Sequence, residues 1–314
     1  MAELRTSEPI ASPALLIRVA RGKLESQSLL FVESLRAWGG ALAAAPVYAF
    51  TRPEDAPSAG ALKRLEELEA EHVELRLEVP WRDPPVLNKV YVSAWAEREL
   101  DHDLLVFADS DTVFLDEPHE LAGDGWLAAA KPVGNSRTAG STGPGDPNEP
   151  YWQRVYDLLG VRSWPFVTTI VDRARIRAYW NTGLVAARRE AGLFRAWERA
   201  LVRLFESGCV FKKPVLMEQV AWAAVTADIH DRVLVLPDEY NCPLPKRKFL
   251  PPGVRDLELD EIVHVHYHRW GHLPDFLGVV RPRLDPGSDR YRWLEDRFPL
   301  TPTIDGPFRW AEGG

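Results

Sequence analysis

Asp109 and Asp111 stand one residue apart, directly behind the apolar run Leu104 to Ala108, in the text LLVFADSD. Carboxylates this close repel each other unless a proton or cation lies between them, and a hard divalent ion with oxygen ligands meets that need. A second polar set lies far along the chain at His264, His266 and His268, with His272 just beyond, so half of the eight histidines fall within nine residues. If Ile262 to His268 is a strand, alternation sends the three imidazoles to one face and makes a ligand-rich wall. No cysteine pair or HExxH spacing accompanies the histidines, which speaks against a closed zinc site. Neither set decides anything alone. A D-x-D tripeptide is common in acidic turns, and a single strand histidine is more often a satisfied core residue. The four apolar residues in front of the pair give it weight, because ligands bind open α/β sheets at the carboxyl ends of their strands.

The elements that must position these groups follow from periodicity. Leu15 to Ala20, Pro46 to Thr51, Val73 to Val79 and Leu104 to Ala108 read as strands. Between them lie a helix carrying Leu29, Val32 and Leu35 that Gly39-Gly40 stops, a polar helix over Ala61 to Glu71, and a helix over Val86 to Leu100. This alternation predicts an α/β fold, a mostly parallel central sheet flanked by helices with right-handed crossovers. Val133 to Pro150 is rich in Gly, Pro and Ser and reads as one long loop, with a plain connection and an acceptor-side lid equally open. Further on come a strand near Leu184 to Ala187, an amphipathic helix with Phe194, Trp197, Leu201 and Leu204, and a helix over Met217 to Val225. Strands at Val233 to Leu236 and Ile262 to His268 follow. No repeat period is present. One decorated domain is expected over residues 1–285, followed by a Pro-rich tail over 286–314.

The segment Lys89 to Leu121, KVYVSAWAERELDHDLLVFADSDTVFLDEPHEL, resembles the GT-A glycosyltransferases, in particular the glycogenin-like and bacterial galactosyltransferase-like group (family 8-like). Four further segments match that group in order. They are Asn181-Thr182-Gly183-Leu184, Glu218-Gln219, Leu236 to Asn241 (LPDEYN) and Ile262 to Gly271 (IVHVHYHRWG). The resemblance implies a GT-A, Rossmann-like fold, with residues 1–121 as the nucleotide-binding half and 122–285 as the acceptor side. It implies metal-dependent transfer of a sugar from a nucleotide-diphospho-sugar, a UDP-sugar first, to an unidentified glycan, small molecule or protein, with retention of configuration. The implied metal ligands are Asp109, Asp111 and His266, with His264 as the alternative to His266, a mixed oxygen and nitrogen set that suits Mn²⁺ or Mg²⁺. The implied donor contacts are Val19, Ala20, Lys89, Asp109, Ser110, Gly183, His268 and Arg269, and the implied catalytic residues are Glu218, Gln219 and Asn181. Two family segments are altered: Val19-Ala20-Arg21-Gly22 stands where the group has Asn-Asp-x-Tyr, and Arg269-Trp270-Gly271 is what remains of its Gly-x-x-Lys-Pro-Trp loop.

Composition narrows the field. The chain has 314 residues, 46% of them hydrophobic and 27% charged, which suits a globular fold with a sizeable core. Its formal charge of −8 gives no general reason to coat nucleic acid or anionic lipid. No apolar run approaches the length needed to span a bilayer, and two cysteines make no disulfide framework, so a cytoplasmic protein is expected. Two rival readings remain. DSDTV over Asp109 to Val113 also fits the nucleophile motif of a haloacid-dehalogenase-type phosphohydrolase, although no later strand ends in the acidic pair that chemistry needs. The other rival is a sugar-nucleotide-binding module without activity.

Overall fold

The structure is a computed structural model and describes residues 12–76 and 85–301. In chain order its strands are β1 (Pro13–Arg18), β2 (Val47–Thr51), β3 (Ala70–Glu74), β4 (Leu104–Ala108), β5 (Thr112–Phe114), β6 (Ala128–Pro132), β7 (Phe166–Thr168), β8 (Arg175–Arg177), β9 (Trp180–Arg188), β10 (Val233–Val235) and β11 (His264–His266). The helices are α1 (Lys23–Trp38), α2 (Ala59–Glu67), α3 (Asn88–Glu99), α4 (His119–Ala122), α5 (Glu149–Leu159), α6 (Leu193–Glu206), α7 (Met217–Ala227), α8 (Pro252–Arg255), α9 (Phe276–Val279) and α10 (Asp289–Glu295). Seven strands form one sheet in the order β10-β6-β9-β4-β1-β2-β3. All its pairings are parallel except those of β9, which runs antiparallel to both β4 and β6. This is the mostly parallel α/β sheet that the alternation predicts.

Side-chain alternation on the central strands builds a core on each face. Leu16, Leu105 and Phe107 join the aromatic side chains of α5, α6 and α7, among them Trp152, Trp197 and Trp222. Leu15, Ile17, Leu104 and Val106 face the other way, onto Leu29, Val32 and Leu35 of α1 and Leu65 of α2. With both faces covered, every residue of β4 is buried, which is why its sequence is apolar throughout. A third core forms around the β5–β11 pair and gathers Val113, Val265, Tyr267, Leu294 and Leu300.

The structure departs from the sequence reading in three places. The second helix ends at Glu67, and Glu69 turns the chain with a left-handed φ of 55°, so β3 starts at Ala70 rather than Val73. The end of that expected strand lies outside the described residues. The expected strand to His268 stops at His266; His268 itself has a φ of 52° and opens a 3-10 turn. Residues 286–301 are packed into the domain and do not form a tail: Ser288 caps α10 by accepting from Arg290 N and Tyr291 N, Leu294 and Leu300 are buried, and Arg297 bonds Glu33 at 3.1 Å.

The long loop is held by buried polar contacts. The Glu149 carboxylate accepts from Ser141 and from the Arg177 guanidinium, and Trp152 Nε1 donates to Ala139 O. No helix among the described residues is long and apolar enough to cross a membrane.

Candidate active site

The site lies at the carboxyl end of β4. The chain leaves the sheet at Asp109, whose N–H still donates to Gly183 O of β9 at 2.8 Å. It then turns through Ser110 and Asp111 into β5, which pairs antiparallel with β11 and sets His266 opposite Thr112. Tyr267 N–H donates to Asp111 O at 3.1 Å, tying the histidine segment to the second carboxylate. Two distant stretches of sequence therefore meet because of one three-residue strand pairing.

Asp109 and Asp111 look in different directions electrostatically. Lys89 Nζ, on buried α3, lies 2.6 Å from Asp109 Oδ1 and 4.0 Å from Glu218 Oε1, and donates to Thr182 O at 3.3 Å. Burial would push the Lys89 ammonium toward neutrality, but Asp109 and Glu218 outweigh it and raise its pKa. Glu218 is itself 1% exposed, and burial pushes its carboxyl up to about 7 against the pull of Lys89. Thr182 Oγ1 donates to Glu218 Oε2, Gln219 hydrogen-bonds the same carboxyl, and Trp197 Nε1 donates to Glu218 O at 2.7 Å.

On the other side, one ligand atom each of Asp111, His266 and His268 lies within 4.8 Å of the other two. His266 Nε2 is 3.3 Å from Asp111 Oδ1, and the His266 and His268 rings stack with centroids 3.8 Å apart. Burial would raise the Asp111 carboxyl, but His266 beside it, with His268 and Lys89 behind, holds it at about 2. Burial and the neighbouring His266 lower His268 to about 3, which leaves its imidazole neutral at ordinary pH and able to act as a ligand. His268 Nε2 is buried with no hydrogen-bond partner. An orphaned buried nitrogen, stacked beside a second imidazole and a carboxylate, is what a two-nitrogen, one-oxygen cation site requires.

The histidine wall differs from its sequence reading. His264 does not reach the carboxylates: its ring packs on Phe114 at 4.7 Å, and both its nitrogens are buried without partners. Behind His266, Asn241 Oδ1 lies 2.9 Å from His266 Nδ1, Asn241 Nδ2 donates to Asn181 Oδ1 at 2.9 Å, and Gly183 N–H donates to the same oxygen at 2.8 Å. Asn181 and Gly183 are thus committed to this chain of bonds. A Cβ on Gly183 would sit 2.9 Å from His266 Cε1 and Nδ1, so only glycine lets the ring approach.

Beside both groups opens a cleft of about 350 Å³, lined by Arg18, Lys23, Leu24, Gln27, Val86, Lys89, Phe107, Asp109, Ser110, Asp111, Arg269 and His272. The two carboxylates share it with four basic side chains, a balance suited to a polyanionic ligand carrying its own cation. Of the expected donor contacts, Lys89, Asp109, Ser110 and Arg269 line the cleft. Val19 and Ala20 are buried at the end of β1, and Val19 N–H is spent on Phe50 O. Arg18, Lys23, Gln27 and His272 were missed by sequence reading. Lys23 had a signal available, since it opens the first helix just beyond the end of the first strand, on the binding edge of such a sheet.

Comparison with known proteins decides the class. Residues 15–229 match the family model of the Rhodobacterales glycosyltransferase domain. The chain belongs to that family. The matched residues include Lys89, both aspartates, Asn181 and Glu218, and end before Asn241 and the histidines. Among solved structures, the apo structure of the bifunctional glycosyltransferase WbbM superposes with a TM-score of 0.53 at 15% identity, over 84% of this chain and 47% of that one. The chain thus spans about half the length of that neighbour, and the likeness shows a shared GT-A-like fold. No curated protein matches in sequence. A glycosyltransferase family and fold leave the phosphohydrolase reading without support.

Proposed function

We propose that this glycosyltransferase is a metal-dependent enzyme that takes its sugar from a nucleotide-diphospho-sugar, a UDP-sugar in the first instance, and transfers it with retention. The observation that carries the reading is the convergence of Asp111, His266 and His268 beside a cleft bearing Lys89 and Arg269, in a chain of a glycosyltransferase family. Asp111, His266 and His268 would hold Mn²⁺ or Mg²⁺. A divalent cation there would stabilise the charge that grows on the diphosphate as it leaves.

The remaining roles fall to the chain's own side chains. Arg269, with its planar fork of donors, and Lys23 suit the phosphate oxygens of the donor. Lys89, 2.6 Å from Asp109, offsets that carboxylate's charge, so the cleft would accept a diphosphate in an otherwise acidic protein. Glu218 and Gln219 do not line the cleft; the buried Glu218 carboxyl, bonded by Thr182 and Gln219, would act on the donor site through Lys89. Retention rests on the resemblance of Asn181 to Leu184 and of Glu218-Gln219 to the retaining group. Cys209 and Cys242 are buried and unpaired, as suits a reducing compartment such as the cytoplasm.

The test is donor turnover by the purified chain across a panel of nucleotide-diphospho-sugars, with Mn²⁺ and with chelator. Hydrolysis that needs the cation and disappears in Asp111→Ala is the expected result, and the anomer released reports retention by NMR. Donor binding with no turnover on any acceptor would favour a binding module instead. Cation-independent turnover would refute the metal reading.

A further inference from the structure

The LPDEYN segment ends in Asn241, a residue that the expected roles leave unused. It is 4% exposed, holds a left-handed φ of 45°, and lies between Asn181 and His266. Such a backbone is uncommon outside glycine and persists where surrounding contacts demand it.

The direction of the hydrogen bonds can be read from one end. Gly183 N–H is a backbone donor and cannot reverse, so the Asn181 side-chain atom facing it is the oxygen. The Asn241 atom that meets this oxygen at 2.9 Å must then be its amide nitrogen. That leaves Asn241 Oδ1 toward His266, where it can only accept, so the hydrogen lies on His266 Nδ1. In the neutral imidazole a hydrogen on Nδ1 leaves the lone pair on Nε2. Nε2 faces Asp111 Oδ1 at 3.3 Å, a contact that needs either a second proton on the ring or a cation between the two atoms.

We propose that Gly183, Asn181 and Asn241 form a positioning chain that fixes His266 as its Nδ1–H tautomer and thereby commits Nε2 to the cation. The assignment deepens the metal reading above and rests on it. Partners of this kind orient a ligating histidine and raise its basicity, and their loss typically costs about 10- to 100-fold in metal affinity.

The test uses the metal-free full chain labelled with ¹⁵N-histidine. The His266 signals are assigned by their absence in His266→Gln, and two-bond ¹H–¹⁵N correlations report the tautomer without any metal. Calorimetry with Mn²⁺ alone then gives affinities for the wild type, Asn241→Leu and Asn241→Asp. The wild type should show hydrogen on Nδ1. Asn241→Leu should lose the fixed tautomer and about 10- to 100-fold in Mn²⁺ affinity, whereas Asn241→Asp, which keeps an acceptor for Nδ1–H but gives up the bond to Asn181, should lose clearly less than Asn241→Leu. Wild-type hydrogen on Nε2, or equal Mn²⁺ affinity in wild type and Asn241→Leu, overturns the positioning chain alone. Wild type that binds no divalent cation overturns the metal reading together with it. Should Asn241→Leu not fold, the wild-type tautomer still decides the matter. Asn241→Asp that binds Mn²⁺ no better than Asn241→Leu overturns the positioning chain.

Discussion

The two sides of the Asp109–Ser110–Asp111 turn solve the same electrostatic problem differently. On one side the compensating cation is built in: Lys89 sits 2.6 Å from Asp109 and 4.0 Å from Glu218, and both Lys89 and Glu218 are buried. On the other, Asp111 faces two imidazoles, and the buried Nε2 of His268 has no partner. Each aspartate side chain is about a quarter exposed, so burial does not separate them. What separates them is the neighbour: a buried ammonium on one side, two imidazoles on the other. A D-x-D pair therefore need not be two equivalent ligands; under the proposed function its halves would face a fixed and an exchangeable cation.

The largest expected effect breaks the exchangeable side. Asp111→Ala removes the carboxylate and should lower metal-stimulated donor turnover by on the order of 10²- to 10³-fold, with an unchanged circular dichroism spectrum. Asp109→Asn sharpens the contrast, because it should weaken Mn²⁺ binding much less than Asp111→Asn does; equal losses in a titration would erase the distinction between the two sides.

Next comes the fixed side. Lys89→Met strands the buried Glu218 carboxyl and the quarter-exposed Asp109 and should cost about 3–5 kcal/mol at pH 8, measured by urea unfolding. A loss under about 1 kcal/mol would mean that Lys89 is no more than a surface-type pair. Gly183→Ala tests the junction between the sides: its methyl group would press on the His266 ring, costing about 1–3 kcal/mol and Mn²⁺ affinity together.

The smallest effect is one of pH. Glu218 has a folded pKa raised to about 7 from 4.5, so the folded protein binds its proton more tightly than the unfolded chain. Stability from this group is fully present below pH 4.5 and is lost as pH rises toward 7. Glu218→Gln should gain in melting temperature relative to wild type across that window and hold the gain above it. A difference independent of pH would show that Glu218 is ionised throughout.

The fold was legible because its sheet is written in uninterrupted apolar runs, and β4 with its following carboxylates could be placed from LLVFADSD alone. The histidines were legible as a cluster but not as a geometry. Alternation put His264, His266 and His268 on one face, yet β11 ends at His266, and the left-handed turn at His268 brings its ring back onto His266 while His264 stays on Phe114. That outcome depends on tertiary packing of Tyr267 and the β5 pairing, which no local period records. The pairing of Lys89 with Glu218, from opposite halves of the sequence, was hidden for the same reason, and Asn241 was visible only as the end of a family-like segment.

At the centre of these contrasts stands one claim, that the cleft binds a nucleoside diphosphate through a cation held by the histidine side. Calorimetric titration of the chelator-treated chain with UDP, with and without Mn²⁺, tests it most directly. Binding at least about tenfold tighter, some 1.4 kcal/mol, is expected when Mn²⁺ is present, with loss of that gain in Asp111→Ala. UDP that binds equally well with and without the cation would contradict it.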